Sequence, residues 1–439
     1  MPPTLRVEPG LPLIGNLLEF RRDRLGFQMR VADAGITQTR IAWRTVFVVT
    51  DHELAHQVLV EHDDAFIKGP GLAVVAKPLL GDGLLTAEKD FHRRSRKLLA
   101  PAFTPKRMTG YAAVMAACAT AHADQLRPGG LIDIAERMMG TTLDIVGRTL
   151  FDADLGGDAR VIGDALTEAM EYVLGAVLSP IPLGWPTPRR KRGLAAVAQL
   201  DEVVLRVIGQ RRAAGGDRGD VLSILLEARD DDGVGLSDRH IRDEIMTLML
   251  AGHETTANLL AWAWYVLGTE PAVAARLHGE LDEVLGGRAP TYADLPRLPV
   301  TLAILEETLR LYPPAHTIAR QADRDVTIGD VPIPKGAIVT VSVVAMQRRA
   351  AYWDDPLAFC LDRFLGADKK ARRPGYLPFG AGPRVCIGNH FALVEAQLIL
   401  AAWAQRFQFR LAQATPAVLE PLLTLRPKGG VWVEPIRRG

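Results

Sequence analysis

The segment that most constrains the fold of this chain is residues 379–388, which read FGAGPRVCIG. Gly380 and Gly382 allow backbone turns that residues with side chains avoid. Gly388 leaves out a side chain at a point where a flat ligand has to come close to the backbone. These glycines surround Cys386, so the segment is predicted to be a rigid loop that presents one sulfur atom.

A helix is predicted directly after this loop. Residues 389–405 have apolar side chains at helical spacing, which places Cys386 just before a helix N-terminus. Free backbone N–H groups and the helix dipole at that end favour a thiolate over a thiol. A cysteine in such a position is also compatible with a buried, inert core residue, so the position alone does not decide its chemistry.

The composition predicts one large globular domain. The chain has 439 residues, 48% of them hydrophobic, and no linker-like segment or abrupt change of composition divides it. Residues 1–439 are therefore expected to form a single domain, and the expected state is a monomer. The formal net charge is only +1, which gives no electrostatic reason to expect a nucleic-acid partner.

The cysteines and the N-terminus bear on the cellular compartment. Cys118, Cys360 and Cys386 are too few and too scattered for a disulfide framework or a C-x-x-C metal site, which fits a reducing cytoplasm. Prolines and charges interrupt the N-terminal sequence, and no uninterrupted apolar run reaches about 18 residues. We therefore expect neither a signal peptide nor a membrane span, and a cytoplasmic location.

A long helix predicted over residues 238–268 contains an unusual stretch. Residues 251–256 read AGHETT, where one glycine and two adjacent threonines lower helix propensity inside an apolar run. The simplest explanation is close packing of another element over Gly252, and a functional groove is the alternative. His253 is expected to point to a neighbouring face in a structural role.

Charged residues form three further patterns. Glu307 and Arg310 lie three residues apart on a predicted helix, a spacing that contributes only about 0.3–0.5 kcal/mol when the pair is exposed. The basic residues 92–97 are compatible with a solvated helix face. The same holds for residues 189–192, for which contact with an anionic surface or substrate group is the alternative.

Together these motifs resemble those of the haem-thiolate monooxygenases, the cytochrome P-450 family, in its soluble bacterial type. The resemblance rests on Phe379, the glycine turn, Arg384, Cys386 and Gly388, and on further motifs in the family's order along residues 9–433. It implies a mainly α fold, one large helical domain with small β sheets. Haem b would be buried between the long central helix and the cysteine loop.

The resemblance also implies which residues hold the cofactor. Cys386 would be the axial ligand of the haem iron, whose electron donation favours O–O cleavage. Phe379 would pack on the proximal face, with Gly388 beside it. Ala251 and Gly252 would border the haem in the oxygen-binding groove of the long helix. The side chains implied to reach the haem propionates are His92, Arg96, Arg320 and Arg384.

Catalytic roles are implied for two residues of the long helix. Thr255 would hydrogen-bond the bound oxygen, and Glu254 would supply protons through water. The residues implied to line the substrate pocket are Thr247, His316, Thr317, Ile318 and Leu423. Residues 315–320 are predicted to form a strand, and residues 422–433 a hairpin with Leu423 and Thr424 at the edge of the pocket.

A structural cluster is implied as well. Glu307 and Arg310 would recruit Arg363 downstream, although Leu361 stands where the family usually has a proline. If this triad is buried, breaking it should cost about 3–5 kcal/mol, because one charge loses its partner. Its expected role is folding and haem retention.

The activity implied is reductive activation of O2 and insertion of one oxygen atom into a C–H or C=C bond of a lipophilic small molecule. A fatty acid, a terpenoid and a polyketide are equally compatible with the sequence. Electrons would come from NAD(P)H through a separate ferredoxin or flavodoxin with its reductase. The alternatives are a peroxide-driven haem enzyme and a haem-binding or recruitment protein without turnover.

Replacing Cys386 by serine is expected to abolish the thiolate-type absorption spectrum of the reduced CO complex, because no other cysteine is expected to bind the iron. Cys118→Ala and Cys360→Ala are the controls and should keep that spectrum. A Cys386→Ser variant that retained it would contradict the assignment.

Overall fold

The helices follow the apolar periodicity of the sequence. A computed structural model of the chain describes residues 5–177, 185–229, 234–366, 373–412 and 415–438. The helices are α1 (Leu17–Arg22), α2 (Arg24–Arg30), α3 (His52–His56), α4 (Lys77–Leu80), α5 (Lys89–Leu99), α6 (Pro105–Asp124), α7 (Ile134–Leu150), α8 (Ala159–Val177), α9 (Pro188–Ala214), α10 (Val221–Glu227), α11 (Asp238–Thr269), α12 (Pro271–Leu285), α13 (Pro299–Leu311), α14 (Val343–Met346) and α15 (Asn389–Ala404).

The strands are short and form four sheets. They are β1 (Leu5–Val7), β2 (Ile36–Ile41), β3 (Arg44–Val49), β4 (Phe66–Lys68), β5 (Ile132–Asp133), β6 (Ile318–Ala322), β7 (Val326–Ile328), β8 (Val331–Ile333), β9 (Ile338–Val341), β10 (Phe407–Leu411), β11 (Leu419–Pro421), β12 (Leu425–Pro427) and β13 (Trp432–Arg437). The largest sheet has the order β1-β2-β3-β9-β6-β4, with β1–β2 and β3–β9 parallel and the other pairs antiparallel.

The long helix α11 runs through the middle of the protein. Ser237 caps its start by accepting a hydrogen bond from the His240 N–H, and Pro271 begins the next helix just beyond its end. It packs against α7, α9, α13 and α15, and the large side chains of Trp262 and Trp264 are buried on it. A helix that is apolar on nearly every side has to be central. The mainly helical fold with small sheets, predicted from the sequence, is confirmed.

The C-terminal hairpin differs from the prediction. Residues 422–433 do not form one hairpin, because β11 and β12 pair with each other while β13 pairs with β10 and β5. Residues 422–424 are the tip of the β11–β12 hairpin. The expected strand over residues 315–320 begins only at Ile318, so His316 and Thr317 lie in the segment before it.

A buried ion pair connects α13 to the cysteine loop. Glu307 and Arg310 are fully buried, and both Arg310 Nε and Nη2 donate to the Glu307 carboxylate at 2.7 Å. Arg363 adds a second cation, with its Nε 3.3 Å from Glu307 Oε1. Arg310 also donates to the carbonyl of Gln347 at 3.0 Å, and the Gln347 side chain accepts from the backbone N–H of Leu377 at 2.9 Å. The chain is therefore held two residues before Phe379.

The basic residues 189–192 contact helix α8. Arg189 donates to the backbone carbonyl of Glu171 at 2.5 Å, and Arg192 Nε lies 3.1 Å from the Glu168 carboxylate. These contacts fit the solvated start of α9, where Thr187 accepts a hydrogen bond from the Arg190 N–H.

Candidate functional site

The cysteine loop is held by its own backbone and by the turn at residues 57–61. The Cys386 N–H donates to the Phe379 carbonyl at 3.0 Å, which closes the loop. Gly380 and Gly382 both have φ of +72°, in the left-handed region. A Cβ atom on Gly382 would lie 2.0 Å from the carbonyl oxygen of Leu59, so no other residue fits there. The geometry agrees with the rigid loop predicted from the glycines.

Cys386 is an exposed residue, yet protein atoms surround its sulfur closely enough to weaken its hydration. Burial raises the pKa of the Cys386 thiol, and it outweighs the backbone N–H of Gly388 and the charge of Arg96, which lower the pKa. The sequence argument named the backbone N–H groups, but it did not name Arg96 and did not include the opposing effect of burial. A thiolate here therefore needs a further positive charge at the sulfur, which a bound iron would supply.

Gly388 has room beside it. Its φ of −96° is open to any residue, and a Cβ atom there would meet only Phe103, at 3.8 Å. Neither the backbone nor the protein packing requires a glycine at this position. The space beside Gly388 is compatible with the close approach of a flat ligand, which the sequence predicts.

A cluster of cationic side chains lies near the cysteine loop. Arg96 donates to the carbonyl of Val385 at 2.7 Å, directly before Cys386. Arg384 donates to Glu88 at 2.8 Å and lies 3.3 Å from Asp63. Burial, followed by the charge of Arg384, lowers the pKa of Arg320 to about 10. The arginines therefore oppose one another's charge inside the protein.

Lys68 belongs to the same cluster, although the sequence analysis did not find it. It is buried at the end of β4, its Nζ donates to the carbonyls of Leu84 and Leu85, and its N–H donates to Glu88 at 2.6 Å. Burial, followed by the charge of Arg384, lowers the pKa of the Lys68 ammonium to about 7. No motif surrounds it in the sequence, and only the pairing of β4 with β6 brings it close to Arg320.

His92 is buried among these cations. Burial, then the charges of Lys68, Arg384, Arg96 and Arg320, lower the pKa of its imidazole to about 4, so it is neutral at pH 7. A neutral histidine can still donate one hydrogen bond.

Some donors of the cluster have no partner in the described part of the chain. Four basic side chains (Lys68, Arg96, Arg320 and Arg384) lie near three carboxylates, those of Asp63, Glu88 and Glu244. Arg320 Nε and Arg384 Nη1 are buried and have no hydrogen-bond partner among the described residues. Further carboxylates would accept from these donors and would favour the charged form of Lys68. The residues present thus fit the two propionates of the haem implied by the sequence.

The glycine in α11 has a packing role. A Cβ atom on Gly252 would come within 3.0 Å of Val146 on α7, so the simplest explanation from the sequence applies. His253 is buried, and its Nδ1 lies 2.6 Å from the carbonyl of Met249 within the same helix. Ala251 and Thr255 share a more accessible face, where Thr255 Oγ1 donates to the Ala251 carbonyl at 2.8 Å.

Glu254 lies on a buried face of α11 next to the more accessible face of Thr255. Its carboxylate is buried and accepts a hydrogen bond of 2.5 Å from Thr424 Oγ1, at the tip of the β11–β12 hairpin. Burial raises the pKa of Glu254 to about 7, against the opposing effects of Thr424 and Arg426. The side chain can therefore hold and release a proton near neutral pH.

The five predicted pocket residues are not equivalent. Thr247 is buried, its hydroxyl has no hydrogen-bond partner among the described residues, and a Cβ atom on Gly83 would lie 2.3 Å from it. His316 is buried and lies between Thr317 Oγ1, at 3.0 Å, and the Leu422 carbonyl, at 3.3 Å. Burial lowers the pKa of His316 to about 4.

Thr317 also donates to Gln28 at 3.1 Å, so its hydroxyl is engaged with the protein. Ile318 and Leu423 are half-buried and apolar. These two are therefore the members of the predicted set best placed to offer apolar surface to a ligand.

Known proteins resemble this chain over almost its whole length. The family model described as cytochrome P-450 matches residues 5–433. Cyclooctatin synthase of Streptomyces melanosporofaciens is 38% identical, over 95% of this chain and 92% of its own length. Cyclooctat-9-en-7-ol 5-monooxygenase of the same organism is 34% identical, over 93% of this chain and 90% of its own. Pentalenene oxygenase of Streptomyces avermitilis is 33% identical, over 95% and 92% respectively.

A solved structure also resembles the fold of this chain. The crystal structure of the haem domain of cytochrome P-450DA aligns with a TM-score of 0.88 at 30% identity, covering 99% of this chain and 98% of that one. Among the described residues, no helix is long and apolar enough to cross a membrane.

Replacing Lys68 by methionine should speed the loss of haem, because one basic group of the proposed propionate site is removed while the length of the side chain is nearly kept. A hydrogen bond to a charged group is worth about 1.5–3 kcal/mol, so the rate of haem transfer to apomyoglobin should rise about ten- to a hundredfold. Lys77→Met is the matched control, since the exposed Lys77 pairs only with Asp82 among the described residues. Lower thermal stability with an unchanged rate of haem transfer would show that Lys68 only donates hydrogen bonds to the Leu84 and Leu85 carbonyls.

Proposed function

The chain belongs to the cytochrome P-450 family, and we propose that within this family it oxygenates a cyclic terpenoid with electrons delivered by a separate redox protein. The relatives are named as an oxygenase, a monooxygenase and a synthase. Together with the family they make this chain a haem-dependent monooxygenase of a lipophilic small molecule. The substrate class, the electron source and the roles of individual residues are the proposal.

The proposed cofactor site uses Cys386 for the iron and the cationic cluster for the propionates. When bound, the haem supplies reductive activation of O2 and the transfer of one oxygen atom to carbon. Phe379 and Gly388 would leave a flat space beside the sulfur, and Arg96 would favour its charged form. The single observation that supports this site best is that buried donors of Arg320 and Arg384 have no partner among the described residues, since a buried donor is stable only with an acceptor.

Proton delivery is proposed for Glu254 and Thr255. Glu254 is buried with a pKa near 7, so it can both take up and give up a proton at physiological pH. Thr255 lies on the more accessible face of α11, one position further on, and its hydroxyl can accept and donate a hydrogen bond. At rest the Ala251 carbonyl accepts a hydrogen bond from the Thr255 hydroxyl, which keeps that side chain in one orientation.

A terpenoid substrate is supported by the names of the relatives and by the chemistry of the predicted pocket residues. Three of the most similar relatives have names that refer to cyclooctatin, cyclooctat-9-en-7-ol and pentalenene. Ile318 and Leu423 offer apolar side chains, while the polar atoms of His316 and Thr317 are engaged with the protein. A pocket lined by such side chains suits a hydrocarbon skeleton with few polar groups.

The proposed electron donor is a ferredoxin or flavodoxin reduced by NAD(P)H through its reductase. An iron–sulfur cluster needs about four cysteines, and this chain has only three, one of which is proposed to bind the haem. The face formed by α5 and the start of α6 carries exposed cations that can attract an acidic partner: Arg93, Arg94, Lys97, Lys106 and Arg107.

The substrate proposal is tested with a panel of cyclic terpene hydrocarbons, fatty acids and polyketide lactones. We expect terpenes to shift the haem spin state and to be oxygenated in the presence of NADPH and a surrogate ferredoxin with its reductase. Preference for a fatty acid or a lactone would contradict the terpenoid class. Product formed with hydrogen peroxide but not with NADPH would identify a peroxide-driven enzyme.

Thr255→Ala should keep the haem spectrum and the substrate affinity but divert electrons to hydrogen peroxide. A positioned proton transfer contributes about 10² to 10⁴ in rate, so the loss of the hydroxyl should strongly lower the ratio of product to NADPH consumed. Thr256→Ala is the control on the same helix, because Thr256 is buried and donates to the Gly252 carbonyl. An unchanged ratio in Thr255→Ala would leave this threonine with a packing role only.

A further inference from the structure

The carboxyl group proposed as the proton donor is held by an element outside the central helix. Glu254 is only 2% exposed, and its hydrogen bond comes from Thr424, which is 6% exposed and lies 170 positions further along the chain. Thr424 lies at the tip of the β11–β12 hairpin, directly after Leu423. Neither the AGHETT stretch nor the cysteine loop contains this threonine.

A third side chain orients the threonine. Asn258 Nδ2 donates to Thr424 Oγ1 at 3.1 Å, and Asn258 is 1% exposed. Asn258 and Glu254 are four residues apart on α11, so they lie on one face of the helix, and Thr424 is between them. Because Asn258 occupies a lone pair of the Thr424 oxygen, the Thr424 hydrogen is left for Glu254.

The hairpin tip is attached to the predicted pocket residues. The Leu425 N–H donates to the Pro314 carbonyl at 3.0 Å, and His316 Nε2 lies 3.3 Å from the Leu422 carbonyl. On the other side, Trp262 Nε1 donates to the Leu425 carbonyl at 3.2 Å. The tip therefore joins α11 to the segment before β6, and the position of Thr424 depends on both.

Few charges face Glu254. Arg426 on β12 is the neighbouring cation that lowers its pKa, and Arg426 is itself paired with Glu420 on β11 at 2.7 Å. His316, the titratable group next to the tip, is neutral at pH 7 because burial lowers its pKa to about 4. The Thr424 hydroxyl is thus the principal polar contact of the carboxylate from the hairpin.

We propose that Thr424, oriented by Asn258, is a positioning residue that holds Glu254 for proton delivery and sets the pH range in which Glu254 carries a proton. The inference rests on the proposed role of Glu254. A hydrogen bond donated to a carboxylate stabilises the charged form, so Thr424 keeps the pKa of Glu254 lower than burial alone would leave it.

The test compares Thr424→Val with Thr424→Ser in the haem-loaded protein. Valine has nearly the same shape without the hydroxyl, whereas serine keeps the donor. Infrared titration of the resting enzyme follows the protonated carboxyl band that Glu254→Gln removes. We expect its midpoint to rise by about half to one pH unit in Thr424→Val and to stay close to the original value in Thr424→Ser.

Turnover supplies the second measurement. The ratio of product to NADPH should fall as the pH rises through the midpoint of Glu254, and this alkaline limb should move upward with the midpoint in Thr424→Val. Asn258→Leu should move both in the same direction, because the Thr424 hydroxyl is no longer oriented. A lower melting temperature alone, with an unmoved carboxyl midpoint in Thr424→Val, overturns the inference.

The outcomes separate this inference from the proposed function. If Glu254→Gln leaves the product ratio and its pH dependence unchanged, the role of Glu254 in proton delivery fails. If Glu254→Gln abolishes the alkaline limb but Thr424→Val leaves the limb and the infrared midpoint in place, only the positioning role of Thr424 fails.

Discussion

Burial of charge beside a reactive sulfur is the constraint on which the rest of this structure depends. Arg96, Arg320, Arg384 and Lys68 are brought together near the cysteine loop, where they repel one another and lose hydration. Such a cluster is stable only with anionic partners, and Asp63, Glu88 and Glu244 supply three. The protein thus stores an unfavourable interaction that a ligand with two carboxylates relieves, and binding of that ligand should stabilise the folded chain.

A second buried charge is used differently. Glu307 has Arg310, Arg363 and the Cys360 N–H around it, so it is fully paired. Its contacts continue through Gln347 to Leu377 and reach the cysteine loop. The pairing makes this network a rigid support, whereas the cluster near Cys386 keeps arginine donors without partners among the described residues, which we propose a ligand to occupy. The same physics, removal of ions from water, gives a support in one place and a binding site in the other.

Glu254 shows a third outcome. It is as buried as Glu307, but no cation lies in direct contact with it among the described residues, and its pKa rises to about 7. A buried carboxyl group whose contact is a hydroxyl, and not a cation, changes its protonation state near neutral pH. Two glutamates in one core therefore differ in function because one has arginine partners and the other has Thr424.

The sequence by itself determined the local features. Left-handed glycines at 380 and 382, the helix after Cys386, the long apolar helix and the Glu307–Arg310 spacing are all set by residues within a few positions of one another. Lys68, the contact between Glu254 and Thr424, the direction of the pKa shift at Cys386 and the split of residues 422–433 between two sheets were decided by the tertiary structure alone. Each of these features depends on contacts between residues far apart in the chain or on the loss of water around a charged group. Sequence spacing shows neither the contacts nor the burial, because both are properties of the packed protein.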